Sequence, residues 1–367
     1  MNNNTIKNNH VSTGKDREIC FSNIWQAPSN IALIKYWGKH GNQLPNNPSL
    51  SITLNKAFTI TKFQAVPKDN SDSGNSDISL EYYFEGKRYA AFENRIKSFL
   101  EKLCPDMPFL SEYHFTAESS NTFPHSAGIA SSASSMAALA LCLTELEQYH
   151  CGRFLPEEDF FRRASILARH GSGSASRSVY GGWVSWGKSD AIPGSSDEFA
   201  SPLTLPVHSM FQYPGVAILV ASSAKKSLSS SAGHQLMDQH PFAVKRYEQA
   251  HKNLVSLLNA IETGNFEEFA TIVENEALTL HSLLMTSSPD GMLMKPASLQ
   301  IIEDVRNFRK TTGTPVCFTM DAGPNLLLIY PNEVRDKVTT FIEDNLTRFC
   351  ENGRWLDDGM GNGPAKG

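Results

Sequence analysis

The chain has 367 residues, with 33 basic and 38 acidic side chains, a formal charge of −5 and a pI near 6.1. Hydrophobic residues make up 40% and charged residues 19%; that is enough apolar material for a large core, excludes a globally disordered chain and, at ~100–200 residues per domain, points to two domains. The acidic balance argues against a protein held on nucleic acid by phosphate attraction, but it leaves room for a small basic pocket.

The first residues, MNNNTIKNNHVSTGKDRE, are polar and lack the apolar stretch of a secretory signal, so residues 1–18 read as a disordered lead-in. Ala27 to Lys39 (APSNIALIKYWGK) is an apolar strand with two lysines four apart around an aromatic pair. A lysine is rarely buried without a partner, so Lys35 needs an anion nearby; the plainer reading is an edge strand with snorkelling lysines. Leu50, Ile52 and Leu54 alternate with polar residues, and Phe58 and Ile60 resume the pattern, which predicts a β-hairpin turning at Asn55-Lys56. A second hairpin is predicted from ISLEYYF, a turn at Glu85-Gly86-Lys87 and RYAAF, with Lys68 to Asp77 as a surface loop.

A helix from Glu93 to Leu103, a strand from Tyr113 to Glu118 and an Ala/Leu helix ending near His150 follow. Pro156-Glu157-Glu158 opens another helix, with proline near the first turn and acids beside it. Tyr180 to Trp186 reads as a strand, and the polar stretch Ser189 to Ser201 marks a domain boundary. The second half shows a buried strand from Val216 to Ala221 and two amphipathic helices separated by Gly264-Asn265. A helix from Ser298 to Lys310, strand PVCFTM, turn DAGPN, strand LLLIY and a helix from Asn332 to Leu346 complete it. This order suggests an α+β layer with helices on one face of a sheet. Asp357 to Gly367 is Gly-rich and reads as a loose tail.

The six cysteines form no C-x-x-C pair, and no His/Cys cluster or H-E-x-x-H is present, so a reduced cytoplasmic protein without its own zinc or iron site is expected. The longest apolar helical run, Ala137 to Leu143, is far too short to span a bilayer.

Four segments carry chemistry. Pro124-His125-Ser126-Ala127-Gly128-Ile129-Ala130-Ser131-Ser132-Ala133 has small side chains that let backbone N–H groups approach a ligand at the start of a helix. Ser131 and Ser132 offer hydroxyls to phosphate or Mg²⁺. It is neither a Walker A loop nor G-x-G-x-x-G, and a tight helix-packing face accounts for the same composition. Ser172-Gly173-Ser174-Ala175-Ser176-Arg177 places hydroxyls around one arginine, suited to a multiply charged anion, or is a solvated loop. The third is the Lys35/Lys39 strand with Asn30, Tyr36, Trp37 and Gly38. In the fourth, Asp321 lies in a turn between two apolar strands; a turn aspartate is common, and here it can also hold a carboxylate at a cleft.

In combination these segments resemble the diphosphomevalonate decarboxylase family of the GHMP kinase superfamily. The resemblance runs from about Ala27 to Pro331 and rests on PSNIALIKYWGKHGNQLPNNPSLSITLN, NTFPHSAGIASSASSMAAL, ARHGSGSASRSVYGGWVSW and TMDAGPN, in that order. It implies a two-domain α+β fold, a ribosomal-S5-like ATP-binding domain over 19–205 and a ferredoxin-like domain over 206–350; composition sets a disordered extension over 1–18 before them and a flexible tail over 351–367 after them. It implies a homodimer with ATP and Mg²⁺, acting on mevalonate 5-diphosphate, with no nucleic-acid or membrane partner. By resemblance Asp321, Lys35 and Arg177 are catalytic. Asn30, Tyr36, Trp37, Gly38, Lys39, Arg95, Ser231 and the Ser172–Ser176 cradle bind substrate. Pro124 to Ala133 bind ATP, and Ser131 and Ser132 sit by Mg²⁺. His125 and Ser126 stand where Thr and Ala are usual, and Ser176 replaces a cysteine found in some members. The alternatives are a kinase that stops at phosphorylation, a decarboxylase of mevalonate 5-phosphate, and a non-catalytic binding protein on this fold.

Overall fold

The computed structural model describes residues 20–69, 77–123, 130–224, 228, 230–288 and 291–367. The expected lead-in over 1–18 lies outside them. Strand β1 (Phe21–Ile34) alternates buried and exposed side chains at its start and is then buried throughout. Strands β2 (Lys39–His40) and β3 (Leu44–Pro45) pair as a small ribbon.

Strand β4 (Ser49–Pro67) is one continuous element, so Asn55-Lys56 makes no hairpin turn. The sequence there has no glycine to supply the left-handed backbone that a two-residue turn demands. Instead residues 54–57 bulge out of the pairing with β1, between Thr53 opposite Asn30 and Phe58 opposite Pro28. The freed amides of Asn55, Lys56 and Ala57 donate to the buried carboxylate of Asp358, at 3.0, 2.8 and 3.1 Å.

The second hairpin forms, from β5 (Ser79–Phe84) and β6 (Lys87–Arg88), with Glu85 at φ 50° and Gly86 at φ 73°. Its second strand is shorter than RYAAF, because Ala90 already starts α1 (Ala90–Leu103), which buries Ile96, Phe99, Leu100 and Leu103. Strand β7 (Tyr113–Asn121), α2 (Ser131–Cys151) and α3 (Glu157–Gly171) follow. A 3₁₀ turn over Gly173–Val179 leads to β8 (Trp183–Trp186) and β9 (Ala200–Pro202). β8 starts later than Tyr180, after Gly182 at φ 70°.

The second half contains β10 (Gly215–Leu219), the short α4 (Ser230–Gln235), α5 (Ala243–Thr263), α6 (Phe266–Met285) and α7 (Pro296–Thr312). Then come β11 (Cys317–Thr319), β12 (Leu326–Tyr330), α8 (Arg335–Phe341), β13 (Trp355–Gly359) and β14 (Ala365–Lys366). The expected helix from Asn332 to Leu346 is broken: a 3₁₀ turn precedes α8 and a π turn over Ile342–Leu346 ends it.

The larger sheet has the order β14-β1-β4-β7-β5-β6, with β8 joined to β4 and β9 to β8; the smaller has the order β11-β12-β10-β13. Helices cover both faces of the smaller sheet, not one. Val216 and Ile218 pack with Leu254, Leu257 and Phe269 of α5 and α6, whereas Ala217 and Leu219 pack with Ile301 and Val305 of α7 and Val338 of α8. Successive strand residues face opposite sides, so the unbroken apolar run of β10 is what a sheet covered on both faces requires.

The chain's end is not a loose tail. β13 pairs with β10 and β14 with β1, so the last residues belong to both sheets. Their composition carries no strand signal because what they supply is backbone pairing and the Asp358 carboxylate, which also accepts the Gly359 N–H at 2.7 Å. Among the described residues no helix is long and apolar enough to cross a membrane, and all six cysteines are free.

Candidate active site

Between the two sheets lies a cleft of about 200 Å³. β1 delivers Asn30, and the chain leaving it carries Lys35, Tyr36, Trp37 and Lys39 along one wall. The turn after α3 supplies Ser172, Gly173, Ser174 and Arg177, and the loop after β11 supplies Asp321 from the other half of the molecule. Ser231, Arg95, Ala130 and Ser132 complete the expected lining.

Lys35 does not snorkel. It is 1% exposed, and its Nζ donates to Asp321 Oδ1 at 2.9 Å. Burial pulls its ammonium below the ordinary lysine range, while Asp321 and Glu276 act in the opposite sense. Asp321 is 28% exposed and forms the open side of the pair. A carboxylate and an ammonium at a cleft between two halves are suited to moving a proton and neutralising a developing charge.

Arg177 is 2% exposed. Its Nε donates to Asn30 Oδ1 at 3.2 Å and its Nη1 to Ser49 Oγ at 2.7 Å. Among the described residues both partners are neutral and it forms no ion pair, which is unusual for a buried charge. Burial lowers its pKa to about 10, with Asp321 and Tyr36 opposing. Asn30 donates in turn to Ser174 O and Ser178 Oγ, so its amide orients the arginine and the loop.

Tyr36 Oη is buried with no hydrogen-bond partner among the described residues, and burial raises its pKa well above the ordinary phenol range. Gly173 is needed beside it, because a Cβ there would lie 2.8 Å from that oxygen. Lys39 donates to Gln43 Oε1 at 2.8 Å; burial and the charges of Lys102 and Arg95 pull its ammonium down, with Asp238 opposing. This end of the cleft gathers positive charge on a chain of net charge −5.

Gly38, Ala175, Ser176 and Ala133 stand behind the lining. Ser176 Oγ donates to Gly173 O at 2.8 Å and shapes the turn, and Ala133 packs in the core. Ser131 faces an adjoining recess walled by Tyr82, Phe84, Tyr89 and Phe92, while Ser132 borders both spaces. Pro124, His125, Ser126, Ala127, Gly128 and Ile129 lie outside the described residues.

Three contributors do not stand out in the sequence. Glu276 of α6 accepts from the Lys35 backbone N–H at 2.8 Å and from the two terminal guanidinium nitrogens of Arg246 of α5, at 2.7 and 2.5 Å. Arg246 also donates to Lys35 O at 3.1 Å, so a buried ion pair of the second half fixes the backbone of the first-half lysine. The signal was an acid on the apolar stripe of α6, three residues after Val273 and four before Leu280. His234 of α4 also lines the cleft, with no distinguishing pattern beside Ser231. Glu276→Gln leaves Arg246 charged and unpaired in the core. It is expected to lower unfolding stability by about 3–5 kcal/mol, the range for a broken buried pair, measured by urea unfolding. A loss under about 1 kcal/mol would show that the pair does not hold the two halves together.

The two-sheet fold, with its cation-lined cleft opening at the start of a helix, is of the GHMP kinase type. A family model described as diphosphomevalonate decarboxylase-like N-terminal domain matches residues 27–200, and one described as mevalonate 5-diphosphate decarboxylase C-terminal domain matches residues 216–356. This chain therefore belongs to the diphosphomevalonate decarboxylase family. The enzyme of that name from Gibberella zeae is 32% identical over 326 residues, covering 84% of this chain and 81% of the relative. That of Saccharomyces cerevisiae is 30% identical over 335 residues, covering 86% and 79%. The solved mevalonate diphosphate decarboxylase of Legionella pneumophila superposes with a TM-score of 0.76 at 31% identity, covering 92% of this chain and all of the other. That of Enterococcus faecalis superposes at 0.77 and 28% identity, covering 94% and 98%. A further solved complex, with TM-score 0.79 and 29% identity, covers 94% and 98% and contains MVAPP, AMPPCP and magnesium.

Proposed function

We infer that this protein is an enzyme that decarboxylates mevalonate 5-diphosphate at the expense of ATP, giving isopentenyl diphosphate, CO₂, ADP and phosphate. The observation that carries the site assignment is the buried Arg177, which forms no ion pair among the described residues, in the same cleft as the Lys35–Asp321 pair. A kinase needs a base and a phosphate site; an arginine reserved for a carboxylate is needed when that carboxylate must also leave.

The tertiary C3 hydroxyl is a poor leaving group. The γ-phosphoryl of ATP is transferred to its oxygen, the C3–O bond then breaks to release phosphate, and positive charge develops at C3. The bond from C2 to the carboxylate carbon breaks next; its electron pair forms the alkene and CO₂ departs. Asp321 takes the hydroxyl proton or orients it, and then stands beside the positive charge. Lys35 holds Asp321 in place and faces the transferred phosphoryl oxygens. Arg177 grips the carboxylate, while Tyr36, Lys39, Arg95, Ser231 and the Ser172/Ser174 hydroxyls receive the diphosphate.

Among the described residues no three acids, histidines or cysteines converge on a metal site. The hydroxyls of Ser131 and Ser132 suit Mg²⁺ that keeps most of its ligands from nucleotide phosphates and water. When bound, Mg²⁺ neutralises charge on those phosphates. The adjoining aromatic recess at the start of α2 suits the ATP base. The family resemblance further supports a homodimer, a cytoplasmic location, an ATP-binding domain over residues 19–205 and a second domain over 206–350.

A panel of mevalonate, mevalonate 5-phosphate and mevalonate 5-diphosphate with ATP tests the assignment. Rapid ADP and CO₂ from the diphosphate alone is expected; ADP without CO₂ from any member would make the protein a kinase.

A further inference from the structure

The His234 ring lies in the cleft wall, 4.2 Å from the Tyr36 ring and 4.7 Å from that of Trp37, centroid to centroid. Its Nδ1 faces the backbone N–H of Gly38 at 3.0 Å. That N–H can only donate, so Nδ1 is the acceptor and a neutral ring carries its proton on Nε2. The ring is neutral: burial, then the charges of Lys39 and Arg177, hold its pKa at about 3. The Gly38 contact is the ring's one hydrogen bond to a described residue, and the side chain is 8% exposed. The Nε2–H therefore has no acceptor among the described residues and is free to donate to whatever the cleft holds. Tyr36 Oη, buried and without a hydrogen-bond partner among the described residues, lies on the same wall.

We infer that His234 is a further substrate-binding residue, donating from Nε2 to a non-bridging oxygen of the phosphoryl group nearest the carbon chain, with Tyr36 Oη beside it. The inference rests on the decarboxylase reading above. The position follows from the charges around the ring. Arg177, which receives the carboxylate, lies over the Trp186 ring, which packs on Tyr36 and through it on His234, while the Gly38 N–H at the imidazole's Nδ1 leads directly to Lys39, assigned here to the outer phosphoryl group; the fields of both cations reach the ring. The group bound between a carboxylate and an outer phosphoryl is the inner one. Neutral donors also suit that place, because a third cation there would repel Lys39 and Arg177 whenever the cleft is empty.

The test compares His234→Leu, which removes the donor, with His234→Gln, whose amide nitrogen reaches the position of Nε2. Binding of mevalonate 5-diphosphate and of mevalonate 5-phosphate is measured by calorimetry, and turnover by CO₂ release. His234→Leu is expected to weaken both ligands alike, by about 10–30-fold, as for a lost hydrogen bond to a charged group. The loss falls on KM rather than kcat, and His234→Gln recovers most of it. Unchanged affinity in His234→Leu, or equal losses in the Leu and Gln variants, would overturn the inference. So would a loss confined to the diphosphate, which would place the imidazole at the outer phosphoryl group. Wild-type protein that shows this binding pattern but releases no CO₂ would refute the decarboxylase reading and leave His234 as a phosphoryl ligand.

Discussion

Asp321→Asn is expected to lower kcat by about 10²–10⁴, the range for loss of a positioned general base, while leaving the affinity for ATP nearly unchanged. Asparagine keeps the shape of the loop after β11 but removes both the proton acceptor and the negative charge. The second loss compounds the first. Lys35 is 1% exposed and its Nζ donates to the Asp321 carboxylate. Without that carboxylate, burial pulls the ammonium further down and favours the neutral amine. On the proposed roles, the variant thus lacks the base and weakens the cation assigned to the transferred phosphoryl group. Asp321 is partly exposed, so folding should survive, and an unchanged thermal midpoint would show this. Turnover within about threefold of wild type at saturating substrates would remove Asp321 from the reacting atoms.

Arg177→Lys is expected to cut CO₂ release on the order of 10²-fold or more, since small displacements of a reacting group cost that much. Lysine keeps a charge but loses the planar fork. In the structure that fork is fixed before substrate arrives, by Asn30 Oδ1 on Nε and Ser49 Oγ on Nη1, and its face lies over Trp186 with the guanidinium carbon 5.9 Å from the ring centre. A lysine has one nitrogen for these jobs and cannot both accept the same support and hold a carboxylate bidentately. In the proposed mechanism phosphoryl transfer depends on Asp321, Lys35 and the ATP site, so ADP release should outlast CO₂ release. Rapid-quench measurement of both products separates the two steps. A variant in which ADP and CO₂ fall together, or in which neither falls, would show that Arg177 does not serve the carboxylate.

The chemistry-bearing segments were legible in the sequence because each is local. The Lys35–Lys39 segment, which the structure places after the end of β1 at Ile34, the serine-arginine turn and the Asp321 turn each gather unusual residues within a few positions, and the structure brings them to one cleft. What the sequence hid depends on partners far away along the chain. Asn55-Lys56 resembles a turn until the Asp358 carboxylate, supplied by the chain's end, satisfies the freed amides. The Gly-rich end resembles a tail because its contribution is pairing with β10 and β1, which leaves no apolar periodicity. Glu276 and Arg246 sit on helices that read as amphipathic, and only the fold shows that their inner faces carry an ion pair clamped on the Lys35 backbone. His234 has no local signature at all; its meaning comes from the tautomer that the Gly38 N–H imposes.

The central claim is that one cleft couples phosphoryl transfer to loss of a carboxylate. It is tested most directly by a product balance for the purified wild-type chain with ATP, Mg²⁺ and mevalonate 5-diphosphate. ADP, phosphate, CO₂ and isopentenyl diphosphate are measured in the same reaction. Equal amounts of all four are expected at every time after the first turnover. ADP accumulating with neither phosphate nor CO₂, and a phosphorylated substrate in place of the alkene, would contradict it.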